Sequence, residues 1–116
     1  MHQRRTRVLF ICSRNQLRSP TAEKIFSRSV HLDVRSRGLA ASAARRLTVD
    51  DVTWAEAIFV MEPEHKKQLL RAYGEEARLC RIYVLDVPDD YAFMDPELVT
   101  LITAGVRAAL GEEGTP

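Results

Sequence analysis

The sequence predicts a three-layer α/β/α fold with a four-stranded parallel sheet, and two observations support this prediction. Four short runs rich in β-branched and aromatic residues, at residues 7–11, 31–37, 57–61 and 81–85, alternate with segments whose apolar residues recur at helical spacing. The first run, RVLFI, is apolar after its first residue, as a strand buried on both faces must be. Strands separated by helices form parallel sheets with right-handed crossovers and helices on both faces.

The whole chain, residues 1–116, is expected to form a single domain, because its length is close to the usual domain size. Apolar residues make up 46% of the chain and charged residues 28%, which is typical of a globular protein. No apolar run exceeds six residues, whereas a membrane span needs about 18. We therefore expect a cytoplasmic protein without a membrane partner, whose two cysteines, Cys12 and Cys80, are reduced thiols.

Capping residues predict where the helices begin and end. The predicted N-caps are Ser19 before a helix that starts at Pro20, Thr48 with Asp51 as a capping box, and Asp95 before Pro96. Gly74 is predicted to end the helix that starts at Pro63. Residues 1–6 have no apolar pattern and are expected to form a frayed basic arm.

The segment between the first strand and the first helix carries the chemistry. Cys12 ends the strand, and five residues separate it from Arg18 at the helix start. Such a loop can wrap its N–H groups around a tetrahedral oxyanion while the helix N-terminus adds positive charge. The same field favours a nucleophilic thiolate, and the arginine fork matches two phosphoryl oxygens. The predicted phosphate-binding residues are Ser13, Arg14, Asn15, Gln16, Leu17 and Arg18.

Charge is unevenly distributed along the sequence. Residues 1–46 contain eleven Lys or Arg and two acids, a net +9, whereas residues 47–116 contain six and fourteen, a net −8. The basic part carries Cys12, so an anionic substrate could be drawn toward it. Alternatively, the two parts intermix in the fold and the asymmetry cancels in space.

The string CSRNQLRSP, from Cys12 to Pro20, resembles the C-x5-R-S-P phosphate-binding loop of the low-molecular-weight protein tyrosine phosphatases. Weaker similarity continues at residues 57–62 and 86–91, although this chain is shorter than the usual member. The resemblance implies a four-stranded α/β fold and cofactor-free, metal-free hydrolysis of phosphate monoesters in two steps. It also implies that Cys12 attacks phosphorus, that Arg18 holds the phosphoryl oxygens, that Asn15 braces the loop and that Ser19 hydrogen-bonds the sulfur.

The resemblance implies that the general acid lies in the loop after the fourth strand. Residues 88–91, PDDY, are similar to the family's Pro-Asp-Pro-Tyr form, so Asp89 takes the role. Asp90 replaces a proline and is the second candidate, and Asp95 is the third because N-capping already explains it. Tyr91 is similar to the aromatic residue that lines the substrate ring in the family.

Three classes of function follow from these residues. The first is a cysteine-dependent phosphomonoesterase that acts on phosphotyrosine in a protein or on another aryl phosphate, such as a small phosphate monoester. The second is a phosphatase for nucleotide or nucleic-acid phosphate, motivated by the basic first part of the chain. The third is a thiol-based oxyanion (arsenate) reductase or binder. The histidines His2, His31 and His65 lack metal-ligand spacing and are expected at the surface, so no metal is predicted. The oligomeric state is left open.

Overall fold

A computed structural model describes residues 4–116 of the chain. It contains four parallel strands in the order β2-β1-β3-β4, which confirms the predicted sheet. The strands are β1 (Thr6–Cys12), β2 (Leu32–Gly38), β3 (Ala57–Val60) and β4 (Arg81–Val84). The helices are α1 (Arg18–Phe26), α2 (Val49–Trp54), α3 (Pro63–Ala77) and α4 (Pro96–Leu110), followed by a 3₁₀ turn at Gly111–Gly114.

Two apolar clusters, one on each face of the sheet, form the core. On one face, Phe10 and Phe59 pack against Phe26 of α1 and Ile102 of α4. On the other face, residues of β1 and β3 pack against α2 and α3, with Leu69 fully buried. Because successive side chains of β1 enter opposite clusters, this strand is buried on both sides, as its apolar sequence predicts.

The register of the sheet places Cys12 at a topological switch point. Cys12 pairs with Gly38 on β2, while Ile11 pairs with Val60 on the opposite neighbour, β3. The chain passes from β1 to β2 on one side and then from β2 to β3 on the other side of β1, so a crevice opens outside the carboxyl ends of these strands. Ligands of open α/β sheets bind in this crevice.

Two helix boundaries differ from their predictions. Helix α1 begins at Arg18, with Leu17 at its N-cap and no side-chain cap, because the Ser19 hydroxyl contacts Cys12 instead. Helix α3 continues past Gly74, with one non-helical residue at Tyr73, and so buries Ala77. The other two predicted caps are confirmed: α2 has its capping box, and the Asp95 carboxylate accepts the Glu97 N–H.

The described part of the predicted N-terminal arm, residues 4–6, is held by the rest of the protein. Residues 1–3, which include His2 and half of the predicted arm, lie outside the described part of the chain. Arg4 is held to Glu56 by two hydrogen bonds, and Thr6 is already the first residue of β1. Between residues 4 and 116, no helix is long and apolar enough to cross a membrane.

Candidate active site

The segment at residues 39–44 holds the start of the loop at residues 13–17 through backbone carbonyl groups. The carbonyls of Cys12, Ser13 and Arg14 accept hydrogen bonds from the N–H groups of Leu39, Ala40 and Ala44. Within residues 4–116, the N–H groups of residues 13–17 donate to no protein group. A row of unpaired N–H groups at the start of a helix is an anion-binding arrangement.

Gly38 allows the loop to lie this close to β2. A Cβ atom on Gly38 would come within 2.8 Å of the Ser13 carbonyl oxygen and 3.0 Å of the Arg14 carbonyl carbon. It would also meet the Ala43 side chain at 2.5 Å. Only glycine leaves room here for the backbone of the loop and for the segment at residues 39–44 that holds it.

Cys12 lies at the base of the loop and is almost fully buried, with 3% of its surface exposed. Its Sγ is 2.9 Å from the Oγ of Ser19, in the first turn of α1. The Ser19 Oγ in turn accepts a hydrogen bond from the Asn15 side-chain amide at 2.9 Å. This leaves the hydroxyl hydrogen of Ser19 free to point at the sulfur.

Asn15 adopts a left-handed backbone conformation, with φ of 55°, which asparagine tolerates better than most residues. Its buried amide NH₂ also donates to Ser36 Oγ on β2 at 3.0 Å, and its Oδ1 accepts from Arg45 Nε at 3.1 Å. The side chain therefore ties the tight turn of the loop to β2 and to the segment before α2. This position suits the bracing role that the resemblance of the loop sequence implies for Asn15.

The Arg18 guanidinium is buried and anchored on one side. Its NH1 donates to Glu62 Oε2 at 2.6 Å and to the Val87 carbonyl at 2.9 Å. Its Nε lies 3.5 Å from Asp89 Oδ1. NH1 is thus held by the protein and Nε faces Asp89, whereas NH2 donates to no protein group within residues 4–116 and is available for an anion in the crevice.

The side chains of Asp89 and Asp90 occupy different positions relative to the cleft. Asp89 lines the same cleft as Cys12 and Arg18, and its side chain is largely exposed to solvent. Asp90 is exposed but does not line this cleft. Tyr91 is half-buried and packs against the apolar cluster that contains Phe59, so it does not form a wall of the cleft. Asp95 caps α4.

The cleft has a volume of about 440 Å³ and is lined by residues from the loop and by one residue from the β4 side. Its lining residues are Cys12, Ser13, Arg14, Gln16, Leu17, Arg18 and Asp89. All predicted phosphate-binding residues except Asn15 are in this set, and Asn15 lies beneath the loop instead. The lining contains no aromatic side chain.

The sequence analysis missed two residues beside the loop, Glu62 and His65. Glu62 follows β3 and holds Arg18, whose hydrogen bond and charge lower the pKa of the Glu62 carboxyl. His65 was expected at the surface, but it is 3% exposed because α3 packs it beneath the loop. Both residues follow closely after β3, the parallel strand next to β1, and this position was the signal in the sequence that could have identified them.

His65 supports Ser13 in a defined tautomer. The Glu62 N–H donates to His65 Nδ1 at 3.2 Å, so the hydrogen of the neutral ring is on Nε2. Nε2 then donates to Ser13 Oγ at 3.0 Å. Burial, and next the charge of Arg18, lower the pKa of His65 and keep the ring neutral. Ser13 can therefore turn its own hydroxyl hydrogen into the cleft.

Cys80 lies apart from this site. It packs against the apolar cluster on the opposite face of the sheet from Cys12, and both thiols are free. Its Sγ donates to the Val52 and Ala55 carbonyls, and burial raises the pKa of the thiol. Among residues 4–116, no three His, Cys, Asp or Glu side chains are grouped so that they could hold a metal ion.

Comparison with known proteins identifies structural relatives. The fold is similar to Wzb from Vibrio vulnificus in complex with benzylphosphonate, with a TM-score of 0.72, 22% identity and coverage of 91% of this chain and 97% of that chain. The low-molecular-weight protein tyrosine phosphatase SP-PTP from Streptococcus pyogenes gives 0.70, 21%, 90% and 91%, respectively. The YwlE arginine phosphatase from Geobacillus stearothermophilus gives 0.64, 21%, 84% and 88%.

Comparisons based on sequence find less. No protein-family model matches the chain, and no curated protein is significantly similar to it. The relationship is therefore visible in the arrangement of the strands and helices across most of the chain. The protein has the fold of the low-molecular-weight protein tyrosine phosphatases.

Proposed function

We propose that the protein is a cysteine-dependent phosphomonoesterase that hydrolyses phosphotyrosine or another aryl phosphate. One observation carries the proposal: Cys12, the unpaired loop N–H groups, Arg18 and Asp89 all meet at one cleft. The combination provides a nucleophile, a preformed oxyanion cradle and a carboxyl group, which are the parts that phosphate-ester cleavage needs.

In the first step, the Cys12 thiolate attacks phosphorus in line and forms an S–P bond. The bond between phosphorus and the leaving oxygen breaks, and Asp89 gives that oxygen a proton. The loop N–H groups and the free NH2 of Arg18 bind the equatorial oxygens, where charge accumulates. Arg18 is already anchored by Glu62 and Val87, so little reorganisation is needed.

In the second step, a water oxygen bonds to phosphorus while the S–P bond breaks. Asp89 accepts the water proton, the electron pair returns to Cys12 Sγ, and inorganic phosphate leaves. The Ser19 hydroxyl, 2.9 Å from the sulfur, stabilises the departing thiolate. The proposed mechanism includes no cofactor because Arg18 and the loop amides supply the positive charge.

The cleft supports phosphate recognition more strongly than recognition of one leaving group. Its rim carries Arg14, Gln16 and Leu17, and Tyr91 packs against the core. Among the structural relatives, SP-PTP is described as a tyrosine phosphatase and YwlE as an arginine phosphatase. A substrate panel should therefore compare phosphotyrosine, phenyl phosphate and phosphoarginine.

The experiment measures release of para-nitrophenol from para-nitrophenyl phosphate in the presence of a chelator. We expect hydrolysis by the wild-type protein, and we expect Cys12→Ser and Arg18→Ala to abolish it. Cys80→Ser is the matched control and should retain activity, because Cys80 lies on the opposite face of the sheet. Substantial activity in Cys12→Ser would rule out the phosphocysteine mechanism.

A further inference from the structure

Arg45 does not line the cleft, but it contacts the buried side chain of Asn15 in the phosphate-binding loop. Its Nε donates to Asn15 Oδ1 at 3.1 Å. Its NH2 donates to Ser36 Oγ at 2.7 Å and to Glu23 Oε1 at 2.6 Å. Arg45 therefore connects the buried side chain of the loop to α1 and β2 at once.

The two charged ends of this network determine the direction of every hydrogen bond in it. Arginine can only donate, so the Asn15 amide must present its oxygen to Arg45. A carboxylate can only accept, so the Ser36 hydroxyl donates to Glu23 at 2.9 Å. The Asn15 NH₂ group is left to donate to both Ser36 and Ser19.

The orientation of the Asn15 amide controls the Ser19 hydroxyl. With NH₂ facing it, Ser19 Oγ accepts from Asn15 and keeps its own hydrogen for another acceptor. Two acceptors are in reach, Cys12 Sγ at 2.9 Å and the Arg37 carbonyl at 3.4 Å, and the sulfur is the nearer. If the amide turned over, its oxygen would face Ser19 and take the hydrogen away from the sulfur.

We propose that Arg45 is a positioning residue that sets the direction of the hydrogen-bond chain ending on the Cys12 sulfur. By holding the Asn15 oxygen, it makes Ser19 a donor to the thiolate, both in the free protein and when the S–P bond breaks. The second of these effects rests on the proposed phosphatase function, whereas the first concerns the thiol alone.

The primary test is the pH dependence of Cys12 alkylation by iodoacetamide, in a Cys80→Ser background. Arg45→Met removes every donor and keeps much of the apolar side chain. A hydrogen bond to a charged group contributes about tenfold or more to an equilibrium, so the midpoint of the alkylation profile should rise by about 1 pH unit. Arg45→Lys keeps a donor-only cation and should recover part of the shift.

Arg46→Met is the matched control. Arg46 is exposed, and between residues 4 and 116 its side chain forms neither an ion pair nor a hydrogen bond with the protein. Arg46→Met should retain the wild-type midpoint of the alkylation profile. The other charged or titratable groups around Cys12 are unchanged in all these variants; they are Arg14, Arg18, Glu62, His65 and Asp89.

A second measurement follows the phosphocysteine after rapid acid quench, with para-nitrophenyl phosphate as substrate. Arg45→Met should accumulate more of the intermediate than Arg46→Met, because its sulfur leaves without a hydrogen-bond donor. An inactive wild-type protein would refute the proposed function and leave the alkylation result standing. Failure of the proposed phosphatase function can therefore be distinguished from failure of the positioning role of Arg45.

The positioning role is overturned if folded Arg45→Met, checked by near-UV circular dichroism, alkylates with the wild-type pH profile. If Arg45→Met does not fold, Glu23→Gln provides the same test. This variant preserves the side-chain shape and removes the charge that holds Arg45 and accepts from Ser36. It should raise the midpoint by less than Arg45→Met, and an unchanged midpoint would overturn the proposal.

Discussion

At the scale of single residues, the two candidate acids, Asp89 and Asp90, differ in their position relative to the cleft. Asp89 lies 3.5 Å from Arg18 and lines the cleft, whereas its neighbour Asp90 does not. The sequence favoured Asp89 because of the resemblance and ranked Asp90 second, since Asp90 replaces the proline of the family's Pro-Asp-Pro-Tyr form. Their side chains occupy different places, and only the path of the loop after β4 determines which one faces Cys12.

At this scale we predict that Asp89→Asn slows turnover of phenyl phosphate by about 10²- to 10⁴-fold, as expected for the loss of a general acid. The loss should be smaller for para-nitrophenyl phosphate, whose leaving group needs less protonation. Steady-state kinetics with both substrates measure this difference. Asp90→Asn is the matched control, and a larger loss in that variant would make Asp90 the acid.

Individual elements determine how the loop keeps its shape. The carbonyl group of Cys12 and the first two carbonyl groups of the loop are held by the segment at residues 39–44, and Gly38 at the end of β2 makes the close approach possible. This segment takes up the carbonyl groups, whereas the N–H groups of residues 13–17 donate to no group in the described part of the chain.

We predict that Gly38→Ala lowers the free energy of unfolding by about 1–3 kcal/mol, the usual cost of forcing a methyl group into a packed site. It should also weaken inhibition by inorganic phosphate, since the added methyl pushes on Ser13 and Arg14. Urea denaturation and inhibition kinetics measure the two effects.

Gly74→Ala is the control for this substitution. A Cβ atom there meets nothing within 4 Å, and the residue is part of α3, so stability should rise by about 0.4–1 kcal/mol. Equal stability of Gly38→Ala and the wild-type protein would show that the loop does not depend on this close approach.

Across the whole molecule, the basic and acidic parts of the sequence intermix. Arg4 pairs with Glu56, Arg18 with Glu62, and both Arg35 and Arg37 with Asp51. These ion pairs cross the boundary between the parts that carry +9 and −8, so part of the asymmetry is offset in space. The nucleic-acid alternative was motivated by this asymmetry and stays a prediction.

The pH dependence of global stability should report His65. Burial lowers its pKa in the folded state, so between that pKa and about 6.5 the unfolded chain binds more protons. The free energy of unfolding should therefore fall as pH decreases below about 6.5. Glu62, whose pKa is also lowered, adds a separate loss that starts below about 4.5, its ordinary value.

We predict that His65→Gln flattens the part of this profile that begins near pH 6.5 and leaves the acidic part in place. Urea denaturation at a series of pH values measures the profile, and His31→Gln is the matched control. If His65→Gln retained the wild-type slope between pH 6.5 and 5, the titration would belong to another group.

The sequence by itself determined the parts of the site that are contiguous in the chain. Strand β1, the loop and α1 are adjacent, so the spacing from Cys12 to Arg18 was enough to predict a phosphate cradle. The capping box at Thr48 and the cap at Asp95 were predictable for the same reason, because each depends on residues at most three positions apart.

Only the tertiary structure decided what surrounds the cradle. Arg45 meets Asn15 across 30 positions of sequence, Glu62 meets Arg18 across 44, and His65 meets Ser13 across 52. Such contacts leave no periodic pattern, and a lone histidine without metal-ligand spacing is indistinguishable from a surface residue. The physical reason is that the crossovers of a parallel sheet bring strand ends together from distant parts of the chain, and the packing of those ends selects the partners.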